Sequence, residues 1–377
     1  MKWAEKRLDE LGFVGRGKSK HRPRDAEHLY GGPYPFIQTG DVKHADLYVT
    51  QYSQTYSEAG VAQSKLWPAG TLCITIAANI ADTAILGVDA CFPDSVIGFI
   101  ANESESDARF VKYLFDTIRR QYQQVSQGAA QDNLSLDKLL AFKLKVPPPE
   151  TQRDIADVLS AYDDLIENNR RRMALLEESA RLLYRERFVQ LRFPGHERCA
   201  IRNGVPNGWE LKALGDLLTL KRGYDLPEGQ RTEGEVPIVS SSGITGYHNQ
   251  KKAVAPGVVT GRYGTLGEVF FIQQDFWPLN TALYVSDFKG NHPAFAAHLL
   301  RQILAGMQSD KAAVPGVDRI VVHRLPVIVP PKILRDQFSD FAYPVYRQVL
   351  ALETTNKRLR AARDLLLPRL MSGEITV

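Results

Sequence analysis

Between residues 155 and 183 the apolar positions fall at alternating spacings of four and three: Ile155, Leu159, Tyr162, Ile166, Asn169, Met173, Leu176, Ala180 and Leu183, with Asn169 the polar exception. That 3.5-residue period predicts a long helix with one narrow apolar seam. Phe341, Val345, Gln348, Leu352, Thr355, Leu359, Ala362 and Leu366 repeat the spacing, and Thr355 stands mid-row as Asn169 does. A polar residue inside such a row fixes register at some cost in stability. Pro344 sits within the second row and predicts a kink there or a later helix start. A lone stripe of this kind usually faces the core of its own module. Two matching stripes, each followed by no strand-like text of its own, predict helices that pair with each other.

A proline cluster precedes each seam, VPPPETQRD at Val146–Asp154 and VPPKILRD at Val329–Asp336, as expected where a helix begins. Upstream of each cluster lie short β-branched and aromatic runs (TLCITIA; GVVTGRYG and EVFFI) and one helical patch (ARFVKYLFDTIRRQY; PAFAAHLLRQILAGM). The echoes continue in order. Trp3, Leu8 and Gly17 face Trp209, Leu214 and Gly223, so each half opens with an amphipathic segment running into a basic, glycine-containing loop. Pro35–Thr39 faces Pro237–Ser241, Cys91–Ser95 faces Phe276–Asn280, and Val96–Ile100 faces Thr281–Val285. Gly128–Ala130 faces Lys311–Ala313. Self-similarity at half the chain length makes the protein two versions of one unit. The expected fold is α+β, with mixed domains at 1–148 and 193–331 and long helices within 149–192 and 332–377.

At 377 residues the chain exceeds one comfortable core, in keeping with two domains. With 44% hydrophobic and 24% charged residues it reads as globular. The longest uncharged run, LWPAGTLCITIAANIA, is too short and too punctuated for a membrane span and reads as buried strand. Three cysteines without metal or disulfide spacing, and an opening without an apolar leader, predict a cytoplasmic protein. The net charge of +4 does not by itself announce a nucleic-acid binder. GRGKSKHRPR, residues 15–24, nonetheless gathers five cations with no acid among them.

Catalytic constellations are absent, and two resemblances to them fail. Asp94 with Glu103 and Glu105 has a nuclease-like spacing, but Glu105 stands where such a site needs lysine. Gly12, Gly17, Lys18 and Ser19 satisfy G-x-x-x-x-G-K-S. A phosphate loop follows an apolar strand and opens a long helix, whereas here a charged segment precedes and Pro23 soon follows. No paired histidine or cysteine ligands appear. The chain reads as a binder without cofactor or metal that lends specificity to others.

Two variable modules, each ending in a Pro-Pro junction and a long helix, resemble the DNA-specificity subunit of type I restriction-modification systems. The text that carries the likeness is GAAQDNLSLDKLLAFKLKVPPPETQRDIADVLSAYDDLIENN, CFPDSVIG and the tail LETTNKRLRAARDLLLPRLMSGEI. The second module departs from the pattern, with AAVPGVDRIVVHRLPVIVPP in place of the polar text. The resemblance implies two similar α/β target-recognition domains, separated by two long helices that form an antiparallel coiled coil with a pseudo-two-fold internal repeat. It implies double-stranded DNA and two modification methyltransferase subunits as partners, with restriction or translocase subunits as further company. Each domain would read one half of a split target. The first seam spans about 42 Å at ~1.5 Å per residue, comparable with one duplex turn of ~34–36 Å.

Base reading uses paired donors and acceptors such as Arg, Lys, Asn and Gln, and phosphate contacts need only cations or N–H groups. In the loops matched between the halves, the first module offers Arg16, Lys18, Lys20, Arg22, Gln38, Thr39, Gln127 and Gln131. The second offers Lys221, Arg222, Tyr224, Ser240, Ser241, Tyr247, Asn249, Arg262 and Tyr263. The competing expectations are a coiled-coil protein-interaction adaptor without DNA readout, and a nucleotide enzyme built on Gly12–Ser19.

Overall fold

The computed structural model describes residues 3–77, 80–127, 135–262, 268–309 and 318–377. The chain divides into two compact units, one of residues 1–168 with 356–377 and the other of residues 169–355. The division falls within each long helix, so each unit owns the start of one and the end of the other.

In the first unit a five-stranded sheet has the order Gly12–Arg16, Val96–Ala101, Leu72–Thr75, Thr83–Leu86, Tyr48–Val49. Its first four strands are antiparallel. Helix Ala108–Gln127 contributes Phe110, Val111, Tyr113 and Phe115 to the core beneath that sheet. A second sheet places Tyr30–Phe36 between Gln54–Tyr56 and Ala90–Cys91, with a parallel bridge from Phe36 to Cys91.

The second unit repeats this order with Thr219–Arg222, Ala282–Asp287, Gly257–Gly261 and Val269–Ile272, again antiparallel. Helix Pro293–Ser309 supplies Phe295, Leu299 and Leu300 to its core. Val236–Ser240 lies between Gly243–His248 and Trp277–Pro278, with a parallel bridge from Ile238 to Trp277. The repeated topology matches the sequence echo with one adjustment. Cys91 and Trp277 occupy the same bridge position, so the aligned register moves by one residue and Phe92, not Pro93, corresponds to Pro278.

The segments at the head of each half are strands before they are helices. Ala4–Lys6 pairs with Leu144–Val146, and Glu210–Ala213 pairs with Pro326–Val329. Each unit therefore closes on itself immediately before its proline cluster. The helices then begin where proline allows, at Pro149 and at Lys332. The second helix runs through Pro344, which lies at an exposed position and does not mark its start.

The two junctions act as anchors. Gln152 is fully buried, donates through Nε2 to the carbonyls of Pro147 (2.9 Å) and Glu105 (3.1 Å), and accepts from the Asp107 N–H at 3.3 Å. Arg153 donates to the Glu103 carbonyl at 2.6 Å. In the other unit Arg335 donates to the Asn291 side-chain oxygen, and Asn291 donates onward to the Leu217 carbonyl at 2.8 Å. The echoed arginines thus fasten each helix start to its own unit.

Helix–helix contacts within the first unit run antiparallel. Asn356 Nδ2 donates to the Ile166 carbonyl at 3.2 Å, Arg363 pairs with Asp163, and Leu370 joins Ile155 and Leu159 in one core. In the second unit Ala180 and Tyr184 share a core with Phe338, Ala342 and Val345.

Candidate nucleic-acid interface

The strand Gly12–Arg16 lies at the edge of its sheet and is followed by Gly17, which no other residue could replace without a shift. A Cβ on Gly17 would sit 2.2 Å from the Pro93 carbonyl oxygen. That close approach lets the Gly17 N–H donate to the Val96 carbonyl (2.8 Å) and the Lys18 N–H to the Phe92 carbonyl (3.0 Å). One residue upstream, the Cys91 carbonyl accepts from the Ile37 N–H at 2.8 Å. The loop carrying Lys18 and Lys20 and the turn carrying Gln38 and Thr39 therefore leave from the two sides of one aromatic-proline turn.

The second unit uses the same device. A Cβ on Gly223 would lie 2.2 Å from the Leu279 carbonyl oxygen. The Gly223 N–H donates to the Ala282 carbonyl (3.1 Å), the Tyr224 N–H to the Pro278 carbonyl (2.8 Å), and the Leu279 N–H to the Val239 carbonyl (2.8 Å). Lys221, Arg222 and Tyr224 thus meet Ser240 and Ser241 across Trp277–Leu279. Two candidate clusters distant in sequence are brought together twice, by the same hydrogen-bond frame.

The profile of the family described as type I restriction modification DNA specificity domain matches residues 1–178 and 206–337, most of the chain. The chain belongs to this family. The MjaIX type I restriction enzyme specificity subunit of Methanocaldococcus jannaschii is 23% identical over all of this chain and 94% of its own length. The Escherichia coli EcoprrI specificity subunit is 21% identical over 81% of this chain and 78% of its own. The crystal structure of the type I restriction-modification S subunit from M. genitalium shares the fold at a TM-score of 0.65. It is 16% identical and covers 98% of this chain and 96% of its own.

Within this DNA-specificity chain the candidate side chains differ in what they are free to do. Arg16 donates to the Asp94 carbonyl, Arg22 to the carbonyls of Ser19 (2.9 Å) and His21 (2.8 Å), and Arg24 pairs with Asp94 at 3.0 Å. These guanidinium groups shape the loop. The Lys20 and His21 N–H groups donate to Gln63 Oε1 at 2.6 and 2.9 Å, and the Ser64 hydroxyl donates to the Lys18 carbonyl at 2.6 Å. Among the described residues no carboxylate pairs with the Lys18 or Lys20 ammonium, so the loop presents both. Gln38 Nε2 donates to Gln54 Oε1 at 3.0 Å, and Thr39 is half-buried at the start of a short helix. Asp94 and Glu105 are each held in an ion pair, with Arg24 and Lys6 respectively. Gly12 begins a strand, and the residues after Ser19 form no long helix, so the phosphate-loop geometry is not built.

In the second unit Arg222 donates to the Asn280 carbonyl at a long 3.4 Å. The Tyr224 and Tyr284 hydroxyls are 3.2 Å apart. That bond, reinforced by Lys221, holds the Tyr224 phenol below the usual tyrosine range, while burial pushes the Tyr284 phenol up. Ser240 is buried and bonds within its own turn, accepting from the Ser242 N–H at 3.1 Å, so its hydroxyl shapes the turn beside Ser241. Tyr247 and Asn249 are exposed at the end of strand Gly243–His248 that lies away from Ser240, Tyr247 opposite Pro237. Arg262 is half-buried, its N–H donating to the Thr281 carbonyl at 3.1 Å. Gln131 and Tyr263 lie outside the described residues, as does the Gln127 side chain at the end of its helix.

Two lysines that the sequence pattern does not single out belong to the same places. Lys65 Nζ lies 3.6 Å from the Trp67 ring centroid and 4.6 Å from that of Phe13. Lys252 Nζ lies 5.0 Å from the Trp277 centroid and 5.7 Å from that of Tyr224. The text around them, KLWPAG and KKAVAPG, is a further echo that different apolar residues conceal.

The seam residues of the first helix, Ile155, Leu159, Tyr162, Ile166, Asn169, Met173, Leu176, Ala180 and Leu183, are all buried or half-buried. In the second helix Val345, Leu352, Leu359, Ala362 and Leu366 are too, whereas Phe341, Gln348 and Thr355 are exposed. Their neighbours Ala342, Val349 and Asn356 are buried in their stead. The inward row therefore runs Phe338, Ala342, Val345, Val349, Leu352, Asn356, Leu359, Arg363, Leu366 and Leu370, keeping the four-three spacing with alternate members moved by one residue.

Proposed function

We propose that this specificity chain reads a two-part double-stranded DNA target, one part with each unit, and that it performs no chemistry of its own. In this reading residues 1–148 and 193–331 are the target-recognition domains. The long helices within 149–192 and 332–377 pair as an antiparallel coiled coil, relate the domains by a pseudo-two-fold, set the spacing between the target halves and dock two methyltransferase subunits. Methyl transfer, and any cleavage or translocation, belongs to those partners. The observation that carries the proposal is the hydrogen-bond frame present in both units, which twice places lysines and an aromatic-proline turn beside the same pair of strands. Phosphate contacts need mobile or well-aimed cations, and base reading needs exposed amide, hydroxyl and guanidinium groups. Lys18, Lys20 and Lys221 are exposed or half-buried at those loops, and Tyr247 and Asn249 are exposed at the far end of the neighbouring strand.

The test exchanges residues 193–331 for those of a relative in the assembled complex and maps methylation across the host genome. One half of the methylated sequence changes and the other half and the spacing stay. A change in both halves refutes the assignment of one unit to one half-site. Reversing charge at Lys18 and Lys20 lowers the slope of log affinity against log salt by ~0.9 for each phosphate that the loop no longer neutralises. An unchanged slope removes that loop from the interface.

A further inference from the structure

Lysines held over aromatic rings occur in both units beside one short strand, one residue apart in register. In the first unit Trp67 pairs with Ala90 in antiparallel register, on the strand that follows Lys65. In the second, Ala253 bridges Phe276 in the same sense, directly after Lys252. Ala90 and Phe276 are equivalent, since each immediately precedes the residue of the parallel bridge, Cys91 or Trp277. The two lysine segments therefore run along the same short strand, but Lys65 stands two residues before its bridge residue and Lys252 one, so Lys252 falls one residue along, in register with Leu66. Each is also tied to the basic loop. Gln63 and Ser64 bind the backbone of Lys18, Lys20 and His21, and Lys252 lies over the ring of Tyr224.

Both side chains are exposed, and among the described residues neither ammonium has a carboxylate partner, whereas neighbouring Lys251 is paired with Asp275 at 2.5 Å. A cation over a ring face is held in position by the ring quadrupole without being neutralised. Partial burial lowers the Lys65 ammonium below the usual lysine range, and a neighbouring anion favours its charged form. Among the described residues the Trp67 and Trp277 indole N–H groups make no hydrogen bond, and what these rings offer the lysines is their faces.

We propose that Lys65 and Lys252 are paired phosphate anchors, one in each unit, prepositioned by their aromatic rings to fix the duplex backbone while the neighbouring loops read bases. This rests on the DNA-reading function proposed above. The occupant is a backbone phosphate and not a base edge, because a rigid ammonium above a ring is a point charge without the paired donor geometry that base recognition uses.

The test uses the complex assembled with its methyltransferase subunits and two fluorescent duplexes of about 40 base pairs, one carrying the genomically methylated sequence and one scrambled. Lys65→Gln and Lys252→Gln each lower the salt slope by ~0.9 on both duplexes, and together by ~1.8. Lys65→Arg and Lys252→Arg keep the slope, and the methylated sequence is unchanged in all four variants. Phe13→Leu, at a position 54% exposed, weakens binding in the same direction by loosening Lys65. If the glutamine variants keep the wild-type slope while Lys18→Gln with Lys20→Gln lowers it, the anchors are wrong and the DNA-reading function stands. An altered methylated sequence in either glutamine variant overturns the phosphate assignment. A wild-type complex that does not prefer the genomic duplex overturns the underlying function instead.

Discussion

Arg363→Met tests what holds the end of the second long helix in register. The Asp163 carboxylate is 2% exposed and has two partners: the Arg363 guanidinium, and the Tyr113 hydroxyl, which donates at 2.5 Å from helix Ala108–Gln127. One buried charge thus ties together both long helices and the recognition module of the first unit. The interaction raises Arg363 further above its already high range against the cost of burial, and pushes the Tyr113 phenol upward with desolvation in the lead. Removing one member of such a pair leaves the other charge buried, at a cost of about 3–5 kcal/mol. Arg363 is partly reached by solvent and Tyr113 stays in place, so the expected destabilisation is about 3 kcal/mol, the low end of that range.

The two units can open separately, so the readout is hydrogen exchange resolved by peptide. Peptides from residues 108–119 and 155–166 lose about 10²-fold in protection, the equivalent of that energy. Peptides from residues 293–305 of the other unit serve as the internal reference. Adding Asp163→Asn removes the orphaned charge and recovers about 2 kcal/mol or more. A cost below about 1 kcal/mol for Arg363→Met, or a double variant no more stable than the single one, refutes this role of the Asp163–Arg363 pair.

Acid destabilises the second unit through His298, which burial, with Arg301 beside it, pushes down to about 3 from its ordinary value of 6.5. The unfolded chain takes up that proton first, so stability is full above pH 6.5 and falls by about 1.4 kcal/mol per pH unit down toward pH 3; His298→Gln removes this part of the slope in urea titrations between pH 6.5 and 5. Gly17→Ala and Gly223→Ala each force a Cβ onto a backbone carbonyl and cost about 1–3 kcal/mol, seen as a lower Tm, and both weaken DNA retention by displacing their loops. Thr355→Ala changes stability by less than about 0.5 kcal/mol, whereas Asn356→Ala costs about 1–3 kcal/mol. Equal effects at the two positions, measured by urea denaturation, refute the revised register of the second helix.

That register shows where pattern reading stops working. A seam inferred from hydropathy prefers Phe341 to Ala342 and cannot choose Arg363 at all. The folded helix turns Phe341 outward at 43% exposure and buries Ala342, which lies in the core that Tyr184 and Phe338 share. Asn356 and Arg363 face inward because each finds a partner on the first helix, the Ile166 carbonyl and the Asp163 carboxylate. The first helix is legible because its four-three seam is apolar apart from Asn169, even though Gln152 and Asp163 are buried beside it. The second is misread by one residue at alternate positions because its row is completed by small and polar groups whose burial depends on the opposite surface.

The interface follows the same logic. Gly17 and Gly223, the proline junctions and the order of strands can be read from the repeat, since backbone demands such as a carbonyl 2.2 Å from a missing Cβ leave the same residue in both copies. Lys65 and Lys252 cannot, because their rings come from different places in the chain. Trp67 and Phe13 serve one lysine, Trp277 and Tyr224 the other. What the repeat preserves there is the charge and its support, not the residues that supply the support. If the two units read different sequences on the same phosphate backbone, as proposed, that is the expected division. Side chains that face bases diverge freely, the scaffold repeats residue by residue, and backbone anchors keep to the same strand while their register and packing are rebuilt.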